Sequence, residues 1–406
     1  MLARGLVVFV VVGLVACGGG GTGDDDIGPT PCTSDAECSG TTPACDVPAM
    51  TCVQCTDTNA AACTGATANC SADHTCAGAC AADADCLSGV CLGDGVCADP
   101  GRVLWVSRDV TGTTCTPDDK CTFATALGLA AAPRDIIHVD PLGYQLAAGI
   151  TIDKEVHVVG RGATFVAAAG TALRVIDGAD VTIDGLAIGG APGMNPDTAV
   201  ECTNAKLRVR VATVQHAALV GINASGCTLA VQRSSVHDNG GGGLQLGGGG
   251  VFTLSNNFIF RNGSGGATGG GIEVLGSVPD GSSLEFNTIV DNHAGPGGNN
   301  AGGVVCRTPT FAAPNNLIAR NDVNGNAGAA NAQTVGACTY PTSIRQAAVT
   351  DLAFASPDVA PFDYAIRAGS AAIDMATTPS PIDIDHGGDA RPQGAAKDIG
   401  ADELVP

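Results

Sequence analysis

The hydrophobic positions of this chain recur at a nearly regular interval between residues 181 and 322. Short runs of alternating apolar and polar residues align on one aliphatic residue each, and successive aliphatics are 26, 22, 23, 30 and 29 residues apart. Segments rich in Gly and Asn separate the runs. This combination is typical of a β-solenoid, in which each repeat adds one coil of short strands. The aligned aliphatics are Ile188, Val214, Val236, Ile259, Ile289 and Ile318.

A second apolar pair precedes each of these aliphatics, and its members are spaced by 22 to 32 residues, so two strands advance together along the chain. The wider intervals contain Gly-rich excursions at 262–271 and 294–303, which a stack of coils accommodates as lateral loops. The pairs are Leu173/Val175, Val200/Cys202, Ile222/Ala224, Leu244/Leu246, Ile272/Val274 and Val304/Cys306. The pattern predicts an all-β parallel β-helix over residues 102–355.

The segment before the repeats has a different pattern. Residues 102–107 predict a strand, and the stretch between Cys121 and Pro133 predicts a short helix with Phe123, Leu127 and Ala130 on one side. Strands follow at 135–140, 150–152 and 156–160. This order resembles the entrance of the right-handed β-helix of pectin-lyase-like proteins. The resemblance implies an N-terminal helical cap over the open end of the stack.

Composition narrows the classes of function. The chain has 58 Gly and a net charge of −21, with only 10 Phe, 3 Tyr and 1 Trp. The acidity excludes nucleic acid as a partner and disfavours uronate polymers, which need basic residues in a groove. The scarcity of aromatic rings argues against sugar binding, because sugars usually stack on them.

The first 17 residues predict export. Residues 6–16 form an apolar run too short to span a bilayer, and the run ends in Leu14-Val-Ala-Cys17. This ending resembles the bacterial lipoprotein signal, which implies a signal peptide at 1–16, lipidation of Cys17, and membrane anchoring at the outer membrane or cell surface. An unlipidated signal peptide is the alternative. Residues 17–31 predict a flexible acidic linker.

Residues 32–99 form a second, unrelated repeat of three four-cysteine units that contain neither Lys nor Arg up to Cys97. The units have almost no aliphatic core, so we expect two disulfides in each, with the pairing open. Zinc is the alternative, but only Cys52-x-x-Cys55 has ligand spacing. The units resemble cysteine-rich repeats at the front of bacterial surface lipoproteins, and we interpret them as a stalk. They are Cys32, Cys38, Cys45 and Cys52; Cys55, Cys63, Cys70 and Cys76; and Cys80, Cys86, Cys91 and Cys97.

The six later cysteines fall inside the predicted β-helix. Cys115 and Cys121 flank one loop, which a disulfide between them would staple. The other four are spaced by about one coil within each pair, so we expect disulfides between neighbouring coils, although six cysteines permit fifteen pairings. These expected pairs are Cys202 with Cys227 and Cys306 with Cys338.

Equivalent positions of a solenoid stack in columns. Two columns consist of asparagine, and we interpret them as hydrogen-bonded structural ladders. A third column alternates in charge, which favours ion pairs between coils. Catalysis is its alternative use, with Asp238 and Asp291 as carboxylates and Arg261 and Arg320 as basic groups. The asparagines are Asn257, Asn287 and Asn316, then Asn239, Asn262, Asn292 and Asn321; the charged column is His216, Asp238, Arg261, Asp291 and Arg320.

Two aspartate clusters have spacings that calcium sites use. Asp383, Asp385 and Asp389 form one, with a capping turn as the alternative. The other is Asp177, Asp180 and Asp184, which adjoin Gly178 and Gly185 and are read as turn residues. The five histidines of the β-helix fall in different columns and predict no zinc site. Calcium is thus the one cofactor that the sequence suggests.

The tail at 356–406 resembles the closing segment of the choice-of-anchor Q proteins, through DYAIRAGSAAIDMA, DIDHGGDARP and DIGADE. It departs from their pattern at Ala371, His386 and Asp402. The resemblance implies a capping segment and display on a surface.

Together these features predict a surface lipoprotein whose β-helix is a non-catalytic module for adhesion, envelope structure, or binding of a cell-surface glycan or protein. The alternative is a polysaccharide lyase or glycoside hydrolase on the same scaffold. The Gly-rich excursions are the expected working surface.

Overall fold

A computed structural model of the chain describes residues 31–59, 62–191, 194–307, 310–346 and 351–405. Cys17, the predicted lipidation site, lies outside the described residues. Within them, three long parallel sheets wind together into a β-solenoid, which confirms the predicted all-β fold. No helix in the described ranges is long and apolar enough to cross a membrane.

Each coil contributes one strand to each sheet, and we name the sheets A, B and C in the order in which a coil visits them after entry. Sheet A contains Val103–Val106, Ile136–Val139, Val156–Val159, Asp180–Asp184, Lys206–Arg210, Thr228–Gln232, Phe252–Ser255 and Ser283–Glu285. Sheet B contains Gly143–Leu146, Thr164–Ala167, Ala187–Gly189, Thr213–Gln215, Ser235–His237, Phe258–Phe260, Thr288–Val290, Leu317–Ala319 and Ile344–Gln346. Sheet C contains Ile150–Ile152, Thr171–Val175, Thr198–Thr203, Val220–Ser225, Gly242–Gly247, Ile272–Val274, Val304–Cys306 and Thr334–Gly336.

The aligned aliphatics of sheet B pair directly with one another. Ile188 lies opposite Val214, Val214 opposite Val236, Val236 opposite Ile259, and so on to Ile318. All are fully buried. Stacked identical positions therefore bury a continuous apolar column, and this burial is the main stabilising contribution of each coil.

The entrance of the solenoid is covered as the sequence predicts. A helix spans Phe123–Leu129, and the Thr122 side chain caps it by accepting a hydrogen bond from the N–H of Thr125. Phe123 and Ala126 face inward, and the Phe123 ring meets the edge of Phe165 in the stack, 5.1 Å between centroids. The helix thus closes the apolar end of the first coils.

The two asparagine columns flank the short strands of sheet B and are buried. The amide nitrogen of Asn257 donates to Oδ1 of Asn287 at 2.9 Å, and Asn287 donates to Asn316 at 3.1 Å. The second column is joined in the same way, with Asn262 donating to Asn292 at 3.0 Å. Each amide also donates to backbone carbonyls, for example Asn287 to Leu254 at 2.9 Å. The predicted structural ladders are confirmed.

The cysteine units each contain two disulfides, as expected, and join the first cysteine to the third and the second to the fourth. Their regular structure includes short antiparallel pairs, Ala44–Asp46 with Thr51–Val53 and Asn69–Cys70 with Cys76–Ala77, and 3-10 turns at Asp35–Glu37, Gly65–Thr67 and Asp83–Asp85. A further 3-10 turn, Pro100–Arg102, leads into the β-helix. The pairs are Cys32–Cys45, Cys38–Cys52, Cys55–Cys70, Cys63–Cys76, Cys80–Cys91 and Cys86–Cys97.

The third cysteine unit is docked on sheet A, a contact that the stalk interpretation did not include. Asp184 is buried on its strand, and its carboxylate accepts hydrogen bonds from the N–H of Gly93 at 2.8 Å, from His157 at 2.5 Å and from Arg210 at 2.8 Å. Burial opposes ionisation of Asp184, but the hydrogen bonds from His157 and Arg210 outweigh it and lower the pKa of the carboxyl.

The prediction that Asp180 and Asp184 are turn residues was wrong, because both lie in the strand Asp180–Asp184. It was right for Asp177, which has φ 57°.

The C-terminal segment, residues 351–405, packs along the side of the stack. It begins with an antiparallel pair, Phe354–Ser356 with Asp363–Ile366, and its apolar residues cover outward-facing side chains that include Phe286, Val290 and Leu317. Within the segment, Arg391 and Glu403 form a fully buried ion pair at 3.0 Å. A short parallel pair, His293–Ala294 with Asp322–Val323, joins the outer loops of two coils.

Candidate functional site

The alternating charged column follows the short strands of sheet B and has an unusual backbone. Its five residues all have φ between 53° and 57°, the left-handed conformation that favours Gly and tolerates Asp and Asn. This conformation turns the chain sharply after a three-residue strand and directs each side chain outward. The column comprises His216, Asp238, Arg261, Asp291 and Arg320.

Asp238 is paired from two sides. Arg261 of the next coil donates through Nε to its Oδ1 at 2.9 Å, and Nδ1 of His237 lies 2.8 Å from Oδ2. Burial opposes ionisation of Asp238, but these two partners prevail and lower the pKa of its carboxyl. A carboxylate held in this way is a poor general acid.

Asp291 is enclosed even more completely. Arg320 donates to its Oδ1 at 2.8 Å, and the hydroxyl of Tyr364 donates to its Oδ2 at 2.7 Å. Arg320 also bridges to Asp358 in the C-terminal segment at 2.5 Å. The two carboxylates that the sequence suggested as catalytic groups, Asp238 and Asp291, therefore form structural ion pairs.

The C-terminal segment gathers aromatic side chains over the same part of sheet B. Phe260 lies 5.0 Å from Tyr364 and stacks on His237 at 4.6 Å, measured between ring centroids. Phe258 meets His386 edge-on at 4.6 Å. Four of the chain's few aromatics thereby line one cavity of about 300 Å³, which we call the aromatic cavity. Its lining is Ser235, Phe258, Phe260, Phe362, Asp363, Tyr364, Ala365, His386, Gly387 and Asp402.

The polar groups of the aromatic cavity are electrostatically perturbed. Burial, together with the charges of Asp385 and Asp363, raises the pKa of Asp402 to about 6, although the N–H of Ile366 donates to its carboxylate at 2.8 Å. Burial also lowers the pKa of His386, whose Nδ1 lies 3.0 Å from the carbonyl of Asn256. The pKa of the Asp402 carboxyl is therefore closer to neutrality than that of an ordinary aspartate, and burial favours the neutral form of the His386 imidazole.

A second, more polar cleft of about 390 Å³ adjoins the first, and Phe362 lines both. The guanidinium of Arg261 lies over the face of Phe362, 4.0 Å from the ring centroid. We call this the polar cleft. Its lining is Arg261, Asn262, Gly263, Asp291, His293, Arg320, Pro357, Asp358 and Phe362.

The calcium candidates do not converge on a common point. Asp385 is buried, and its oxygens accept hydrogen bonds from the N–H groups of Gly388 at 2.7 Å, Asp389 at 2.8 Å and Glu403 at 3.0 Å. Asp383 and Asp389 are exposed. Among the described residues, the sets that bring three ligand atoms within 4.8 Å consist of cysteines, all of which are in disulfides. Asp385 is thus a turn cap, the alternative that the sequence left open.

The six cysteines of the β-helix lie in pairs. Cys115 is joined to Cys121, Cys202 to Cys227 across neighbouring coils, and Cys306 to Cys338. Four of the five histidines of the β-helix, all but His216, are likewise paired with an aspartate. They are His138 with Asp83, His157 with Asp184, His237 with Asp238 and His293 with Asp322.

The aromatic cavity was not predicted from the sequence. The scarcity of aromatic rings argued against sugar binding, whereas in the structure Tyr364 joins Phe258 and Phe260, which lie more than a hundred residues earlier. The only available signal was the run from Phe362 to Tyr364 in an otherwise ring-poor chain. The Gly-rich excursions contribute little to either cleft, with Gly263 lining the polar cleft.

Comparison with known proteins finds similarity to a solved structure but not to a protein family or a curated sequence. No protein-family model matches this chain, and no curated protein matches it. Among solved structures, pectate lyase Pel9A is similar at 16% sequence identity and a TM-score of 0.46, over 77% of this chain and 98% of that chain. The likeness concerns the fold and carries no information about activity.

Proposed function

We propose that this protein is a surface-anchored, non-catalytic module that binds neutral saccharide chains at the aromatic cavity and the polar cleft. The observation that carries the proposal is the collection of Phe258, Phe260, Phe362 and Tyr364 around one cavity. Phe258 and Phe362 are partly exposed and offer apolar ring surface on which sugars stack, whereas Phe260 and Tyr364 are buried. The adjoining charged side chains supply directed hydrogen bonds to hydroxyl groups.

The pairing of Asp238 and Asp291 supports binding rather than turnover. Each carboxylate accepts a hydrogen bond from the arginine of the next coil, Asp238 from Arg261 and Asp291 from Arg320. A glycosidase needs one carboxyl that donates a proton and a second placed across the scissile bond. The paired carboxylates suit recognition of hydroxyl groups instead.

Binding of soluble neutral polysaccharides, namely a β-glucan, a mannan and a xylan, tests the proposal by isothermal titration calorimetry on the mature chain. Phe362→Ala should weaken binding about tenfold, because it removes the ring shared by the two clefts. Phe311→Ala is the matched control, since Phe311 is a partly buried ring packed on Phe252 outside both clefts. Equal affinities for the two variants, or no binding to any neutral polysaccharide, would overturn the proposal.

Glycoside hydrolysis is the second candidate, and one observation favours it. Asp402 has a pKa raised to about 6, so it can hold a proton in mildly acidic solution, and it shares the aromatic cavity with a second carboxyl group, that of Asp363. Release of reducing sugar that disappears in Asp402→Asn, with binding retained, would make the protein a hydrolase.

Anchoring rests on the resemblance of residues 14–17 to the lipoprotein signal. We expect the mature protein to begin at a diacylglyceryl-modified Cys17, which mass spectrometry of the membrane-extracted protein detects. An unmodified N-terminus would contradict the anchor while leaving the saccharide proposal intact.

A further inference from the structure

A third cavity lies where the last cysteine unit, sheet A and the C-terminal segment meet. Its volume is about 560 Å³, larger than either lateral cleft. One wall is formed by the cysteine unit, the opposite wall by a loop of the C-terminal segment, and the floor by turns of the β-helix. We call it the junction cavity. Its lining is Ala79, Cys80, Ala81, Gly93, Asp94, Gly95, Arg161, Val211, Arg233, Ile384, Gly387 and Gly388.

Two arginines face this cavity, and both are held by backbone carbonyls. Arg233 donates through Nε to the carbonyl of His386 at 3.2 Å and through Nη2 to that of Gly387 at 3.0 Å. Arg161 donates to the carbonyls of Ala81 and Leu92. The arginines of the charged column, by contrast, are paired with carboxylates. Neutral carbonyls orient a guanidinium without neutralising its charge.

The two guanidinium groups are close enough to influence each other. Burial is the largest effect on Arg233 and lowers its pKa. The charge of Asp385 raises this pKa, and the charge of Arg161 lowers it. The hydrogen bonds to these carbonyls do not use Nη1 of Arg233 or Nε of Arg161. Two guanidinium groups that line one cavity, each with a donor left over, can together bind one oxyanion group through charge-assisted hydrogen bonds.

We propose that the junction cavity binds a single oxyanion group, such as a phosphate, a sulfate or a sugar carboxylate, between Arg161 and Arg233. The surroundings limit the ligand to a small charge. Asp94 lines the cavity, Asp385 and Asp389 act on Arg233 from one side, and the chain carries a net charge of −21. A polyanion is repelled by this field, whereas one group that reaches both arginines is not.

Titration of the mature chain with inorganic phosphate, sulfate, glucuronate and glucose, at ionic strength held constant with sodium chloride, tests this site. We expect at least one oxyanion to bind and glucose not to bind here. Arg233→Gln and Arg161→Gln should each weaken the binding about tenfold or more, because each removes a charged hydrogen-bond donor. Arg367→Gln, an exposed arginine that does not line the cavity, is the matched control.

Two further variants separate binding from folding. Asp94→Asn should tighten oxyanion binding, since it removes a negative charge from the cavity wall. Arg233→Lys should keep the charge and the fold but lose most of the affinity. Binding of phosphate or sulfate without binding of glucuronate would identify the ligand as a free inorganic oxyanion. Tighter binding of glucuronate would identify it as a sugar acid. Saturation by none of the three anions, or the same affinity in Arg233→Gln and wild type, would overturn the site.

Discussion

The backbone N–H of Gly93 donates a hydrogen bond to the carboxylate of Asp184, 2.8 Å away across 91 positions of sequence. The bond joins a unit held together by disulfides to a unit held together by stacked apolar residues. Because the Asp184 carboxylate also accepts hydrogen bonds from His157 and Arg210, it is the common acceptor for the docking contact and for two neighbouring strands of sheet A. The last cysteine unit is thereby fixed to the β-helix.

Asp184→Ala should reduce the free energy of unfolding by about 3–5 kcal/mol, because it removes the buried carboxylate that His157, Arg210 and the N–H of Gly93 share. Asp180→Ala on the same strand is the control. Asp180 accepts from Arg208 at 2.5 Å at a more exposed position, and its loss should cost about 0–1 kcal/mol. Urea unfolding measures both values, and faster hydrogen exchange at Gly93 in Asp184→Ala alone would report release of the cysteine unit. Similar losses in the two variants would contradict the docking role.

Asn287→Ala should reduce the free energy of unfolding by about 2–4 kcal/mol, because its neighbours in the ladder, Asn257 and Asn316, lose buried hydrogen bonds. Asn223→Ala should change it by no more than about 0.5 kcal/mol, since Asn223 is a half-buried strand residue of sheet C outside both ladders. Thermal and urea unfolding compare the two. Equal effects would mean that the ladder adds nothing beyond an ordinary surface asparagine.

Val211→Gly should raise the free energy of unfolding by about 0.5 kcal/mol, because a β-branched residue at φ 51° is strained and Gly is not. The residue is 36% exposed, so the loss of its remaining burial offsets part of this gain and keeps the net effect small. Val220→Gly, in a strand of sheet C, should instead lower stability by about 1 kcal/mol. A shift of both melting temperatures in the same direction would contradict the assignment of strain to Val211.

Asp402 should make stability fall as the pH rises from about 4 to about 6. Its pKa is raised in the folded state, so the folded protein binds the proton more tightly than the unfolded chain, whose Asp pKa is about 3.9. This contribution is present in full below the unfolded pKa and is lost as the pH passes the folded value of about 6. Urea unfolding at pH 4 and pH 7 should show a smaller difference for Asp402→Asn than for wild type. Parallel pH profiles would contradict the raised pKa.

The coils and their ladders could be predicted from the sequence because the same residue types recur at the same position of each repeat. Alignment of the repeats placed Ile188 opposite Val214, and the strand register shows the same pair. The pairing within each cysteine unit could not be derived in this way, since spacing alone permits several pairings and the backbone decides between them.

The clefts could not be predicted, because they depend on contacts without a period. Phe362 and Tyr364 reach Phe258 and Phe260 only after the C-terminal segment has folded back on sheet B. Asp402 acquires its pKa from that same burial. Arg161 and Arg233 lie in turns three coils apart and come to share a cavity only because the cysteine unit and the C-terminal segment close over them.

The left-handed turn residues before sheet B form a row whose backbone is uniform and whose side chains are not. Val211, Arg233, Asn256, Phe286, Asn315 and Thr342 all have φ between 48° and 58° and differ in size, charge and polarity. Since the ladders and the apolar column maintain the coil, the residue at these positions can change without altering the path of the chain. Ligand preference can therefore diverge between related chains through substitutions at single turn positions such as Val211 and Arg233, which line the junction cavity, while the path of the chain is inherited unchanged.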